Sequence, residues 1–254
     1  MPETFFGWVW LYLEKYGTMF LSGTWTALYL AVFGTLFGCL IGFAAGVVQS
    51  IPDPAKGKAK RFGIDAAKIL FRCYVGLFRG TPMMVQAMVV FYGASYLGIH
   101  LNPIAAGLAV LSMNTGAYMA ETVRGGISSV DAGQAEGAKA MGMSHARTMI
   151  SVILPQALRN IIPQIGNTLV SNVKDTSLLS VIAVTELFFT ARTASGTYLQ
   201  YFPAFFIICI IYLILTAVIG KLLHLLENKM DGPRAYQLAE EFCTAPSGHT
   251  PDQA

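Results

Sequence analysis

Charge is scarce in this sequence. Asp, Glu, Lys and Arg make up 12% of its 254 residues, and 54% are hydrophobic. Soluble domains carry about 25% charged residues, so the composition points to an integral membrane protein. A net charge of +3 gives no ground for nucleic-acid binding. Cysteine is sparse too: Cys39, Cys73, Cys209 and Cys243 form no Cys-x-x-Cys pair. This argues against a disulfide framework or a zinc site and leaves thiols that pack as small hydrophobes. The histidines, His100, His145, His224 and His249, are scattered, which disfavours metal spacing or an intramembrane catalytic pair. A phosphate-cradling Gly-x-x-x-x-Gly-Lys-Ser/Thr loop is missing; Gly220-Lys221 is followed by Leu222 and has no upstream glycine. The start, MPETFFGWVW, has neither the basic residues nor the small-residue cleavage site expected of a secretory signal.

What the chain does have is long apolar runs. Residues 16–52 contain no charge at all. A membrane span needs about 20 apolar residues, so one long helix is expected over about 19–48. Gly34, Gly38, Gly42 and Gly46 fall on one face of it, a packing seam for a neighbouring helix or subunit. Before it, residues 1–18 carry Phe5, Phe6, Trp8, Trp10 and Tyr12, which read as a short interfacial aromatic helix. Further spans are expected within about 68–98, at about 103–123, 164–184 and 203–226. Lys56, Lys58, Lys60 and Arg61 put the first loop on the cytoplasmic side. The resulting fold class is all-α integral membrane, with about five transmembrane helices, the N-terminus outside and the C-terminus inside. The membrane domain is expected to run over 19–230, and the tail, 231–254, to be poorly ordered.

Between spans three and four lies the least membrane-like stretch of the middle of the chain, residues 131–163. Asp131 is placed to cap a helix rich in Ala, Glu and Lys. Gly142 sits where a helix stop needs a left-handed residue. Ser144 caps a second short helix, which Pro155 is expected to limit. The pattern is a cytoplasmic helix-turn-helix, suited either to docking on a water-side partner or to being an ordinary amphipathic loop.

Four patches occur in order: FRGTP at 78–82, LSMNTGAYMAETVRGGI at 111–127, the region from Glu136 to Pro155, and KDTSLLSVI at 174–182. Together they resemble the permease subunits of the polar amino-acid uptake family of ABC transporters, over roughly residues 18–228. Glu136, Gly142, Leu154 and Pro155 reproduce the spacing of the family's EAA motif. Gly137, in place of an alanine before Ala138, and Val152, in place of an isoleucine, depart from it.

The resemblance implies a coupling role for Glu136, Gly137, Ala138, Gly142, Leu154 and Pro155 against cytoplasmic ABC ATPase subunits. It also implies a second permease copy or paralogue, an extracytoplasmic amino-acid-binding protein and a bacterial inner-membrane location. ATP and Mg would sit on the ATPase; this chain would bind no cofactor or metal, and no nucleic acid, and would not be an enzyme. A multi-span membrane enzyme or an assembly scaffold is the alternative.

A second group of residues is polar where spans should be oily: Arg79, Thr81, Asn114, Tyr118, Glu121, Lys174, Asp175 and Ser177. Ionisable groups at membrane depth cost roughly 2.5–3.5 kcal/mol unless paired or facing water. These residues line a path for a zwitterionic amino acid or form ion pairs near the inner surface. Asp175 with Arg79, and Lys174 with Glu121, are the pairings expected from charge and depth.

Overall fold

The computed structural model describes residues 2–51 and 58–230. The tail expected over 231–254 and part of the first basic loop, Lys56 included, lie outside the described residues. Helices make up the described chain: α1 (Phe5–Ser50), α2 (Lys58–Gly80), α3 (Met83–Tyr96), α4 (Pro103–Ser128), α5 (Ala132–Ala140), α6 (His145–Thr148), α7 (Leu154–Asp175), α8 (Leu187–Tyr198) and α9 (Tyr201–Met230). A π turn, Met149–Ile153, joins α6 to α7, and a 3-10 segment, Thr176–Ile182, follows α7.

Two described helices, Phe5–Ser50 and Tyr201–Leu226, are long and apolar enough to cross a membrane by themselves. A third crossing is added if His145–Ile182 and Leu187–Tyr198, bent by 53°, form one broken span. The region expected as the second span is interrupted: Gly80 ends α2, and Pro82 precedes α3 with extended backbone.

The aromatic start is not a separate surface helix. Thr4 caps α1 by accepting the Gly7 N–H at 3.2 Å, and the helix continues unbroken for 46 residues. Trp8, Tyr12 and Phe20 are buried against Leu187, Ala191 and Ala194 of α8 and Ala204, Ile207 and Ile208 of α9. The Tyr12 hydroxyl donates to the Gln200 carbonyl at 2.9 Å. Packing against this corner holds the first turns in line with the rest.

The glycine seam closes on α4 of the same chain. A Cβ at Gly34 would lie 2.6 Å from Leu111, at Gly38 2.6 Å from Thr115, and at Gly46 2.7 Å from Val123; one at Gly42 would collide with Met119. Both rows advance by four residues in the same direction, so α1 and α4 run parallel. Only glycine lets the two backbones approach this closely. Across the seam Asn172 of α7 donates its Nδ2 to Thr35 Oγ1 of α1 at 2.8 Å and to Thr115 Oγ1 of α4 at 3.1 Å. All three side chains are buried, and the bonds tie α7 to the α1–α4 pair.

Candidate functional site

A polar cavity of about 430 Å³ opens between the α2–α3 break, α4 and α7. Its lining explains itself on α7, where Gln164, Asn167, Thr168, Ser171, Asn172 and Asp175 all face it. Steps of three, one, three, one and three residues keep side chains on one helix face. Five of these six were not picked out from the sequence, although a polar stripe of helical period is a legible signal. Of the expected path residues, Thr81, Asn114, Tyr118 and Asp175 line this cavity. Lys174 and Ser177 do not; they face a separate hollow beside Phe188, Phe205, Cys209 and Tyr212. Adjacent residues on a helix project about 100° apart, so Lys174 and Asp175 serve different surfaces.

The expected ion pairs are rearranged. Arg79 Nη1 lies 3.8 Å from Glu121 Oε2, and Arg124 Nη2 lies 2.7 Å from the same oxygen. Glu121 is therefore shared by two arginines and is not paired with Lys174. Arg79 also lies 5.5 Å from the centre of the Tyr118 ring and does not pair with Asp175. The reason is position: Arg79 is the last residue but one of α2, level with Tyr118 and Glu121 one turn apart on α4. All three charged side chains keep 30–48% of their surface exposed, as befits an ion-pair group at the edge of the fold.

The break between α2 and α3 frees backbone carbonyls that need partners. Gln86, a residue the sequence reading passed over, supplies them. Its Nε2 donates to the Phe78 carbonyl at 2.8 Å, and to the Thr81 carbonyl and Thr81 Oγ1 at 2.9 Å each. Asn114 Nδ2 donates to Gln86 Oε1 at 3.0 Å and to the Phe78 carbonyl at 3.3 Å. The Thr81 hydroxyl itself donates to the Leu77 carbonyl at 2.9 Å.

At the other end of α7 the helix-turn-helix forms as expected. Asp131 Oδ1 accepts the Gly133 N–H at 2.6 Å. Gly142 is left-handed, φ +79°; its N–H donates to the Lys139 carbonyl at 2.9 Å and that of Met143 to the Ala138 carbonyl at 3.0 Å, a Schellman stop. Ser144 Oγ accepts the Arg147 N–H at 3.4 Å. Ala138 is buried, whereas Glu136, Gly137 and Pro155 are exposed and Leu154 is half-buried. A Cβ at Gly137 would meet nothing within 4 Å, so that departure from the family pattern removes no contact within the chain.

Pro155 does not limit the second helix. It occupies the first turn of α7, where a missing N–H costs little. The π turn before it, with the Leu154 N–H donating to the Met149 carbonyl, widens the helix ahead of the proline ring. The helical path therefore runs on from the turn into the cavity wall. Glu186 is fully buried. It caps α8 by accepting the Phe188 and Phe189 N–H groups at 2.8 and 2.7 Å, and it accepts the Tyr212 hydroxyl at 3.0 Å.

A family model for the inner-membrane component of binding-protein-dependent transport systems matches residues 59–232. The putative glutamine transport system permease protein of Rickettsia felis is 33% identical over 211 residues, covering 82% of this chain and 91% of that protein. The L-cystine transport system permease protein of Bacillus subtilis is 33% identical over 208 residues, 82% and 88% of the two chains. The glutamine transport system permease protein of Escherichia coli K12 is 32% identical over 214 residues, 82% and 96%. Among solved structures, an amino acid ABC transporter with histidines superposes with a TM-score of 0.79 at 32% identity, covering 90% of this chain and all of that one. An inward-facing MetNI methionine ABC transporter shares the fold, with a TM-score of 0.70 at 19% identity over 85% of this chain and 98% of that one.

Proposed function

The chain belongs to the family of inner-membrane components of binding-protein-dependent transport systems, and from that premise we propose that a polar amino acid crosses through the cavity walled by α7. The chain is a permease subunit of an amino-acid ABC importer, a helical inner-membrane protein whose ATPase is a separate subunit. The comparisons do not favour the enzyme or scaffold alternative. A substrate-binding partner and ATPase subunits follow from the family.

ATP and Mg act on the ATPase, which seats on the loop from Asp131 to Pro155 through Glu136, Gly137, Ala138, Gly142, Leu154 and Pro155. A second permease, copy or paralogue, completes the path, and an extracytoplasmic binding protein delivers the amino acid. The membrane domain crosses five times with the N-terminus outside, and the cavity alternates in access between the two sides.

One observation carries this reading: α7 bears the cavity stripe and is reached from the Gly142 turn without a break. From Leu154 to Asp175 it spans 22 residues, about 33 Å at 1.5 Å per residue. A displacement of the loop is therefore delivered to the cavity wall along one continuous helix, with Pro163 inside it just ahead of the lining residues. Among the described residues Asp175 is the sole carboxylate of the lining and is suited to an ammonium group, while the amides and hydroxyls around it suit a polar, uncharged remainder. Gly142→Val tests the coupling half. Its side chain is strained at φ +79°, so the Schellman stop is lost while the spans are untouched. Normal membrane levels, weak co-purification of the ATPase and loss of uptake are expected; normal uptake overturns the assignment.

A further inference from the structure

The hydrogen-bond chain at the α2–α3 break dictates which atom Asn114 turns to the cavity. The carbonyls of Phe78 and Thr81 can only accept. The Gln86 group that faces both at 2.8–2.9 Å is therefore its NH₂, and its Oε1 must point the other way, toward Asn114. An oxygen there requires a donor, so Asn114 presents its Nδ2, at 3.0 Å; the same nitrogen meets the Phe78 carbonyl at 3.3 Å. Both Asn114 N–H groups are thus committed. Its Oδ1 has no protein partner among the described residues and belongs to a residue of the cavity lining, as does the Asp175 carboxylate. Thr81 contributes less than its place in the lining suggests, because its hydroxyl donates to Leu77 and accepts from Gln86.

We propose that Gln86 is a positioning residue for transport: it holds the Asn114 amide so that Oδ1, together with the Asp175 carboxylate, receives the α-ammonium group of the amino acid. Gln86 does not line the cavity and is nine-tenths buried; its bonds to Phe78 and Thr81 close the helix break, and its effect on the ammonium group passes through Asn114. An ammonium has three donors and no acceptor; a carboxylate and an amide oxygen give it two directed partners. With Gln86 removed, the Asn114 amide keeps only its 3.3 Å bond to the Phe78 carbonyl, and its Oδ1 is held less firmly toward the ligand. The inference rests on the cavity being the amino-acid path.

The test is equilibrium binding to the purified full-length chain with labelled L-glutamine, L-cystine and L-histidine, carried forward with whichever binds most tightly. Gln86→Met fills a similar volume without the hydrogen bonds, and elution as a single monodisperse species checks its folding. Gln86→Met and Asn114→Ala are each expected to weaken binding about tenfold, the scale of one hydrogen bond to a charged group. The double variant should be no weaker than Asn114→Ala alone. An analogue of the probe lacking the α-amino group should lose nothing in Gln86→Met. Additive losses in the double variant, or an equal loss for the amino-free analogue, overturn the role of Gln86 while the Asp175→Asn variant, if it abolishes binding, leaves the cavity assignment standing. Binding that is absent for all three probes, or indifferent to Asp175→Asn, overturns the cavity reading and the proposal with it.

Discussion

Glu186 accepts three hydrogen bonds with its surface fully buried, whereas Glu121 meets two arginines with about a third of its surface open. Glu186→Ala strands two backbone N–H groups and the Tyr212 hydroxyl, at roughly 1–3 kcal/mol for each buried group left unpaired. Glu121→Ala removes exposed pairs worth about 0.2–1 kcal/mol each. Thermal unfolding in detergent should therefore show a large loss for Glu186→Ala and a small one for Glu121→Ala; equal shifts would contradict this account. Glu121 sits in a recognisable motif, while Glu186 follows Thr185 at the end of an apolar stretch and looks like a loop carboxylate. Its burial depends on α9 returning Tyr212 to it, a contact 26 residues away that local pattern does not encode. The same holds for Gln86, whose partners are carbonyls freed by a break eight and five residues earlier.

Elements were more legible than their partners. The glycine period of α1 announces a close-packed face, because no other residue lets backbones approach so far, but not whether the partner is another helix of the same chain. Side-chain shape on α4 answers that: Leu111, Thr115, Met119 and Val123 repeat every four residues and fill the glycine row. Gly42→Leu should force the two helices apart, at a cost of about 1–3 kcal/mol or more for overpacking. Gly17→Leu, on the same helix where a Cβ meets nothing within 4 Å, should be tolerated. Comparing the yield of folded protein for the two variants checks the seam, and equal yields would refute it. The turn at Gly142 and the caps at Asp131 and Ser144 were readable because each rests on local backbone chemistry. The persistence of helix through Pro155 was not, since it depends on the π turn ahead of it, and a π turn leaves little trace in composition.

For the whole molecule, the seam fixes relative direction: parallel α1 and α4 begin at the same end of the fold, as the proposed five-span arrangement requires of its first and third spans. In a background without native cysteines, His100→Cys and Thr193→Cys should be labelled from outside intact cells. Lys139→Cys should be labelled only after permeabilisation; its labelling in intact cells would overturn the five-span reading. The π turn bears on the molecule in another way. A π turn amounts to one residue inserted into an α-helix, with the phase of the flanking turns kept. Between Thr148 and Leu154, then, the chain can lose a residue by relaxing to ordinary helix, and the face from Gln164 to Asp175 still meets the cavity. The same deletion between Pro155 and Gln164 has no slack to absorb it and turns that face about 100° away. A one-residue deletion in this chain is thus tolerated by the cavity face at one end of the connecting helix and not a few residues further on, although both stretches are helical.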